Sequence, residues 1–162
     1  MNFKHWDDAA LACTRQITIA ANVLPGAGIA DIRKTLDLMI DSGAGQWTKF
    51  GAQAYSLASG WALVPSDPER AAEVITALLV RKQTDYGHEN IARFGEIGLF
   101  VRLHDKVARL ENLLATGKAP ENESVTDNLM DVIGYAVIGE MWMRGLFLLP
   151  LRSTVAESTT VS

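Results

Sequence analysis

Cysteine, clustered basic residues and aromatic side chains are all scarce in this chain: one Cys in 162 residues, no run of Lys or Arg, and 7% aromatics. A lone thiol forms no internal disulfide. Cys13, set among small and apolar residues in "AALACTRQITIAA", reads as a small buried hydrophobe rather than a nucleophile. A net charge of −4 with no basic cluster excludes a protein that grips a nucleic-acid backbone, which must neutralise several phosphates.

Long apolar runs are missing too. The longest, residues 132–143, contains Glu140 and falls short of the roughly 20 residues a membrane span needs, so no membrane partner is expected. "MNFKHWDDAALACTR" carries Asp7, Asp8 and Arg15 where a secretory signal would be apolar, and the expected location is the cytoplasm. The Gly-rich "GAGQW" lacks the Gly-Lys-Ser/Thr ending of a phosphate loop.

What is present is helical patterning. Apolar residues make up 48% of the chain and recur at helical spacing, while strand-type alternation is scarce. The expected fold is all-α, a compact bundle of five to six helices in one domain over residues 1–150, with a disordered Ser/Thr-rich tail at 151–162.

A first helix is expected over 6–23, with a strand as the alternative around Ile17, Thr18 and Ile19. Pro25, Gly26 and Gly28 end it. A second, over 31–43, puts Ile32, Leu36, Met39 and Ile40 on one stripe, and the glycines at 43, 45, 51 and 60 weaken a helix in the stretch that follows. A third, over 67–82, has Ser66 as N-cap, Pro68 in the first turn and Glu69 closing a capping box.

Turn chemistry at Asp85-Tyr86-Gly87 and glycine breaks at Gly95 and Gly98 mark the next segment as a connection. Leu99, Leu103, Val107, Leu110 and Leu114 form the face of a helix ending at Gly117. After the polar connector "KAPENE" the last helix runs to about residue 149.

That last helix poses the chemical question. "ESVTDNLMDVIGYAVIGEMW" sets Glu123, Asp127 and Asp131 four residues apart in an otherwise apolar element. Taking a carboxylate out of water costs several kcal/mol, so the acids call for a metal ion or for cations from a neighbouring helix. Asp127 has a second explanation as N3 of a helix capped by Ser124, which would leave Glu123 outside the helix and Asp131 unexplained. Arg102, Asp105, Lys106 and Arg109 form one polar stripe on the preceding helix. If the two helices pack antiparallel, this stripe borders the acids and brings Asp105 among them. Oxygen ligands suit Mg²⁺ or Mn²⁺, and the neighbouring Lys and Arg suit phosphate oxygens, so a nucleoside polyphosphate bridged by metal is the matching ligand.

"KQTDYG" (82–87), "RLHDKVARL" (102–110) and "ESVTDNLMDVIGYA" (123–136) follow in an order and spacing that resembles a phage family, the nucleotide-modification-associated domain 1. The resemblance covers about residues 75–145. That family is similar in turn to MazG-type all-α nucleoside triphosphate pyrophosphatases. The resemblance implies a Mg²⁺- or Mn²⁺-dependent hydrolase, or a nucleotide-binding protein, acting on canonical or modified dNTPs in the host cytoplasm as a homo-oligomer.

It further implies Asp105, Asp127 and Asp131 as metal ligands, with Asp105 and Asp131 catalytic and Glu123 and Glu89 as further oxygen donors. Lys82, Arg102, Lys106 and Arg109 would hold phosphates, with Asp85, Tyr86, His88 and Asn90 near the nucleotide. Metal-activated water would attack the α-phosphorus and release pyrophosphate. MazG-type enzymes carry Glu-x-x-Glu and Glu-x-x-Asp, and neither spacing occurs here, so binding without hydrolysis stays open.

Two other readings compete. His104-Asp105, with His88 before and Asp131 after, imitates the order of HD-type phosphohydrolases. Alternatively the acids simply pair with Arg102, Lys106 or Arg109 in a helical adaptor whose Trp6, Trp47, Trp61 and Trp142 anchor a core or an interface.

Overall fold

A computed structural model of the chain describes residues 2–24, 26–117 and 124–152. The connector 118–123, which includes Glu123, and residues 153–162 of the expected tail lie outside the described residues. The fold is all-α. Its elements are α1 (Trp6–Ala20), followed by a 3-10 turn (Ala21–Val23), α2 (Ile29–Ser42), α3 (Trp47–Gly60), α4 (Pro68–Tyr86), α5 (Glu89–Ala92), α6 (Gly95–Thr116) and α7 (Val125–Met143). The α-helices number seven among the described residues, one more than the upper expectation, because the weak glycine-rich stretch is helical and the connection before α6 contains the single turn α5.

Each boundary has a local cause. α1 carries Asp7 and Asp8 in its first turn, where the helix dipole favours acids. The strand alternative fails there because Ile17 and Thr18 are buried on the helical stripe, with the Thr14 hydroxyl donating to the Ala10 carbonyl at 2.7 Å. α2 begins at Ile29 rather than 31, since Asp31 reaches back to accept from the Gly28 amide at 2.8 Å, and it ends at Gly43 with φ +69°. Ile40, expected on its buried stripe, is 40% exposed.

The N-cap of α4 is Asp67, not Ser66. Its carboxylate accepts from the Arg70 amide at 2.9 Å, and Pro68 follows at the first helical position. Glu69 is thereby free of capping and pairs with Arg15 of α1 at 2.6 Å. α4 continues through Asp85 and Tyr86 to Gly87, and α6 starts at Gly95 and includes Gly98, so neither motif is a mid-segment break.

α7 is apolar almost all round and is the central element, packed on α1, α3 and α6 and more lightly on α4. Gly51 of α3 permits part of this closeness: a Cβ there would come within 2.9 Å of Ile17 and 3.0 Å of Ala136. The expected extension of α7 to 149 is cut short by Gly145 at φ +72°, after which the chain folds back. Phe147 then buries itself against Trp6 and Trp142, Leu151 is buried, and the Arg152 amide donates to Asp7 at 2.9 Å. Residues 151 and 152 are therefore docked on α1 and are not part of a disordered tail.

Among the tryptophans, Trp6 and Trp47 are fully buried and Trp61 is exposed. Cys13 is buried as expected, and burial pushes its thiol up to about 11 despite Arg144 alongside, which keeps it a neutral hydrophobe. No helix among the described residues is long and apolar enough to cross a membrane.

Candidate functional site

α4, α5, α6 and α7 enclose a cavity of about 280 Å³. On α4 the stripe Ile75, Leu79, Lys82, Gln83 and Tyr86 faces it, the last two because α4 runs one turn beyond its expected end at residue 82. α7 contributes Met130, Asp131, Gly134, Tyr135 and Ile138, and α6 contributes Arg102 and Lys106, four residues apart. Gly134 sets the floor: a Cβ there would lie 2.9 Å from Leu79, so its absence lets α4 approach α7. α6 and α7 run antiparallel, Gly95 lying against Trp142 at one end and Lys106 against Asp131 at the other.

Asp131 is the centre of charge. Its Oδ1 accepts from Lys82 Nζ at 2.6 Å, and its Oδ2 pairs with Lys106 Nζ at 2.9 Å. Burial pushes the Asp131 carboxyl up, but Lys82 and Lys106 together outweigh this and hold it below the usual aspartate value. Arg102 donates to the Asn90 carbonyl at 3.1 Å and pairs with no carboxylate among the described residues. Among the described residues, Lys82, Arg102 and Lys106 line the cavity with Asp131 as its one carboxylate. The side-chain oxygen of Asn90 is buried without a donor among the described residues, leaving an acceptor in the lining.

Asn128 was not anticipated. It is fully buried on α7 and donates to the Lys106 carbonyl at 2.8 Å, joining α6 to α7 beside the lysine that holds Asp131. Gln83, another unforeseen member, bonds His88 across 2.7 Å and fixes its ring, whose edge meets Phe147. The only sequence signals were a polar side chain in an apolar run and a glutamine on a charged helix end.

The other candidates are dispersed. Lys82, Tyr86, Asn90, Arg102, Lys106 and Asp131 surround the cavity, whereas Asp85 and Glu89 are exposed and do not line it. Arg109 lies one turn beyond Lys106, also outside the lining. Asp127 is exposed in the first turn of α7, where its amide donates to Ser124 Oγ at 2.9 Å, the capping arrangement. Asp105 does not join Asp131. It is rotated by about 100° from Lys106 and borders a second depression with His104, Ile97 and Val101. His104 meets Arg33 at 3.2 Å, so it does not face His88 or Asp131.

This arrangement is a poor fit for the two-metal centre. Both oxygens of Asp131 are engaged by ammonium groups, and no cluster of three or more His, Cys, Asp or Glu side chains stands together among the described residues. An anion suits the cavity better. Comparison of the chain with family models, with curated proteins and with solved structures finds no match.

The pairing makes a stability prediction. Because the folded-state pKa of Asp131 is lowered, its contribution is present above the unfolded value, about pH 4, and is lost as pH falls through the folded value. Asp131→Asn is expected to lower stability at pH 7 by about 1–3 kcal/mol, the range for hydrogen bonds to charged groups. The difference from wild type should shrink steadily in urea melts taken from pH 5 to pH 2. A constant difference across that range contradicts the assignment.

Proposed function

We propose that the protein binds a nucleoside phosphate in this cavity, with Lys82, Arg102 and Lys106 receiving the phosphates. The observation that carries this reading is the convergence of Lys82, Arg102 and Lys106, with Asp131 the one carboxylate among the described lining residues, above a floor of Ile75, Leu79, Met130 and Ile138. Phosphate oxygens satisfy ammonium and guanidinium donors, while the aliphatic floor and Tyr86 offer a surface for a base. Asn90 Oδ1 can accept from an N–H of that base. The resemblance to a phage nucleotide-modification family supports the same ligand class and extends it to modified dNTPs, which are found in the cytoplasm.

Mg²⁺-dependent pyrophosphohydrolysis is the second reading, favoured by Asp127 standing one turn before Asp131 on α7. Metal would there have to displace a lysine from Asp131. Both readings are tested by thermal melts with a panel of canonical and modified dNTPs, with Mg²⁺ or EDTA, followed by product analysis. Nucleotide at about 100 times its Kd should stabilise the fold by about 2.7 kcal/mol even in EDTA, and Mg²⁺ alone should leave Tm unchanged. No shift with any nucleotide sinks the binding proposal. Monophosphate and pyrophosphate appearing only with Mg²⁺ establishes the second reading.

A further inference from the structure

The short stretch between α4 and α6 bounds the cavity and contributes Asn90 and Ile91 to its lining. Both ends of this stretch are glycines in backbone conformations that other residues rarely adopt: Gly87 at φ +68° with ψ −159°, and Gly95 at φ +58°. A chain can swing at such points. The amides of Ile91, Ala92, Arg93 and Phe94 donate to the carbonyls of His88, Glu89 and Ile91, so these amides are satisfied inside the turn and tie it to no other helix.

Side chains hold the stretch in place. His88 is pinned beside the first glycine, bonded to Gln83 across 2.7 Å with its ring centre 5.5 Å from that of Phe147. Beyond it, over residues 89–94, Ile91 is the one buried residue, and α5 packs chiefly on α6. Among the described residues a single side-chain hydrogen bond reaches residues 89–94 from another element: Arg102 donates to the Asn90 carbonyl at 3.1 Å. Arg102 also lines the cavity, and a guanidinium has several N–H donors, so the group that holds Asn90 has donors left for a phosphate.

We infer that residues 89–94 form a lid on the cavity, hinged at Gly87 and Gly95 and latched by Arg102, and that phosphate bound to Arg102 tightens the latch. Only its ligand rests on the nucleotide reading above. Opening lifts one buried apolar side chain, Ile91, and breaks one hydrogen bond, a local event far less costly than unfolding the bundle. A phosphate on Arg102 fixes that side chain where it meets Asn90, so the bound and latched states favour each other. Arg102 is thereby a positioning residue for the lid.

The test follows a thiol on the buried side of the lid. In Ile91→Cys, labelling by fluorescein maleimide is compared with that of Cys13, fully buried on α1 of the same molecule, and peptide mapping separates the two. Cys13 reports global unfolding, so any loss of stability in the variant cancels in the ratio. Without ligand, position 91 should react about 100-fold or more faster than Cys13. Adding Arg102→Met should raise that ratio by about tenfold or more, the worth of one charge-assisted hydrogen bond, and Arg102→Lys should fall between. A dNTP that raises Tm should slow labelling at position 91 by about tenfold, and this slowing should be lost in Arg102→Met at equal occupancy.

Labelling at position 91 no faster than at Cys13 overturns the proposal, because the stretch then opens only with the bundle. So does a ratio unmoved by Arg102→Met, which means another latch, or slowing by nucleotide that persists in Arg102→Met, which means the ligand merely plugs the cavity. If no nucleotide raises Tm, the nucleotide reading and the ligand-tightened latch fall together, whereas the ligand-free ratios separately establish or overturn the hinged lid.

Discussion

Replacing Lys82 and Arg102 together by alanine is expected to weaken nucleoside triphosphate binding by about 100-fold or more, with little change in Tm. Each charge-assisted hydrogen bond to phosphate is worth about 1.5–3 kcal/mol, so two lost bonds amount to about 3–6 kcal/mol. The small change in stability follows from exposure: Lys82 is 43% exposed at its side chain, Lys106 still holds Asp131, and Arg102 has no carboxylate to abandon among the described residues. The control is Lys34→Ala/Arg70→Ala, which removes the same formal charge outside the cavity lining. Isothermal titration at two salt concentrations separates the effects. If both double variants lose affinity alike, binding is a response to overall charge and not to the cavity.

The same cavity separates anion binding from metal binding through Asp131. In an anion site, Asp131→Asn removes the carboxylate that competes with phosphate for Lys82 and Lys106, and phosphate affinity is retained or increased. In a metal site the same change removes a ligand and abolishes Mg²⁺-dependent binding. The isosteric amide makes the comparison clean, because it keeps the shape of the side chain and alters only its charge.

How far this site could be read from the residues depends on helix phase. An acid in the apolar α7 demands a partner wherever it lies, so Asp131 was identifiable without coordinates. Lys106 was one of three cations named as its partner on the condition that α6 and α7 pack antiparallel, and the structure selects it; the pairing with Lys82 was not legible, since that requires knowing how α4 lies against α7. Asp105 and Lys106 illustrate the limit. They are neighbours in the chain, yet about 100° of rotation sends one to the cationic cavity and the other to the apolar depression. A stripe containing both had to be split by whichever face α7 covers, and the buried face set by Leu99, Leu103 and Val107 left room for only one of them beside Asp131.

α3 is the matching lesson for the fold. Its glycines argue against a helix when counted as propensities, because each costs about 1 kcal/mol relative to alanine in a helix interior. Gly51 is tolerated because its missing side chain admits Ile17 and Ala136, so tertiary packing overrides the local penalty. The amphipathic helices α2 and α6 needed no such information for Ile32, Leu36 and Met39 or for Leu99, Leu103, Val107 and Leu110, and their Gly caps were legible too, but Ile40 and Leu114, expected on the same stripes, are exposed.

The largest stability effects are expected across the seam between α3 and α7, at Gly139 and Trp47. Trp47 is fully buried, stacked on Phe100 at 5.4 Å between ring centres, and its indole N–H donates to Glu96 at 2.9 Å. A Cβ at Gly139 would fall within the space of that indole ring, which is held on both its face and its polar edge and cannot retreat. Gly139→Ala should therefore destabilise by about 2–3 kcal/mol, overpacking exceeding the helix-propensity gain of about 1 kcal/mol. Trp47→Ala should cost about 3–5 kcal/mol through the cavity it leaves. The informative quantity is their coupling. In the Trp47→Ala background Gly139→Ala has no ring to meet, so it should become neutral or stabilising, and the double variant should be more stable than the sum of the singles by about 2 kcal/mol or more. Urea midpoints of the four proteins measure this directly, with Trp47→Phe standing in if the alanine variant is too unstable to give a native baseline. Additive costs would mean that α7 and the indole do not touch at Gly139, and the packing described for this seam would be wrong.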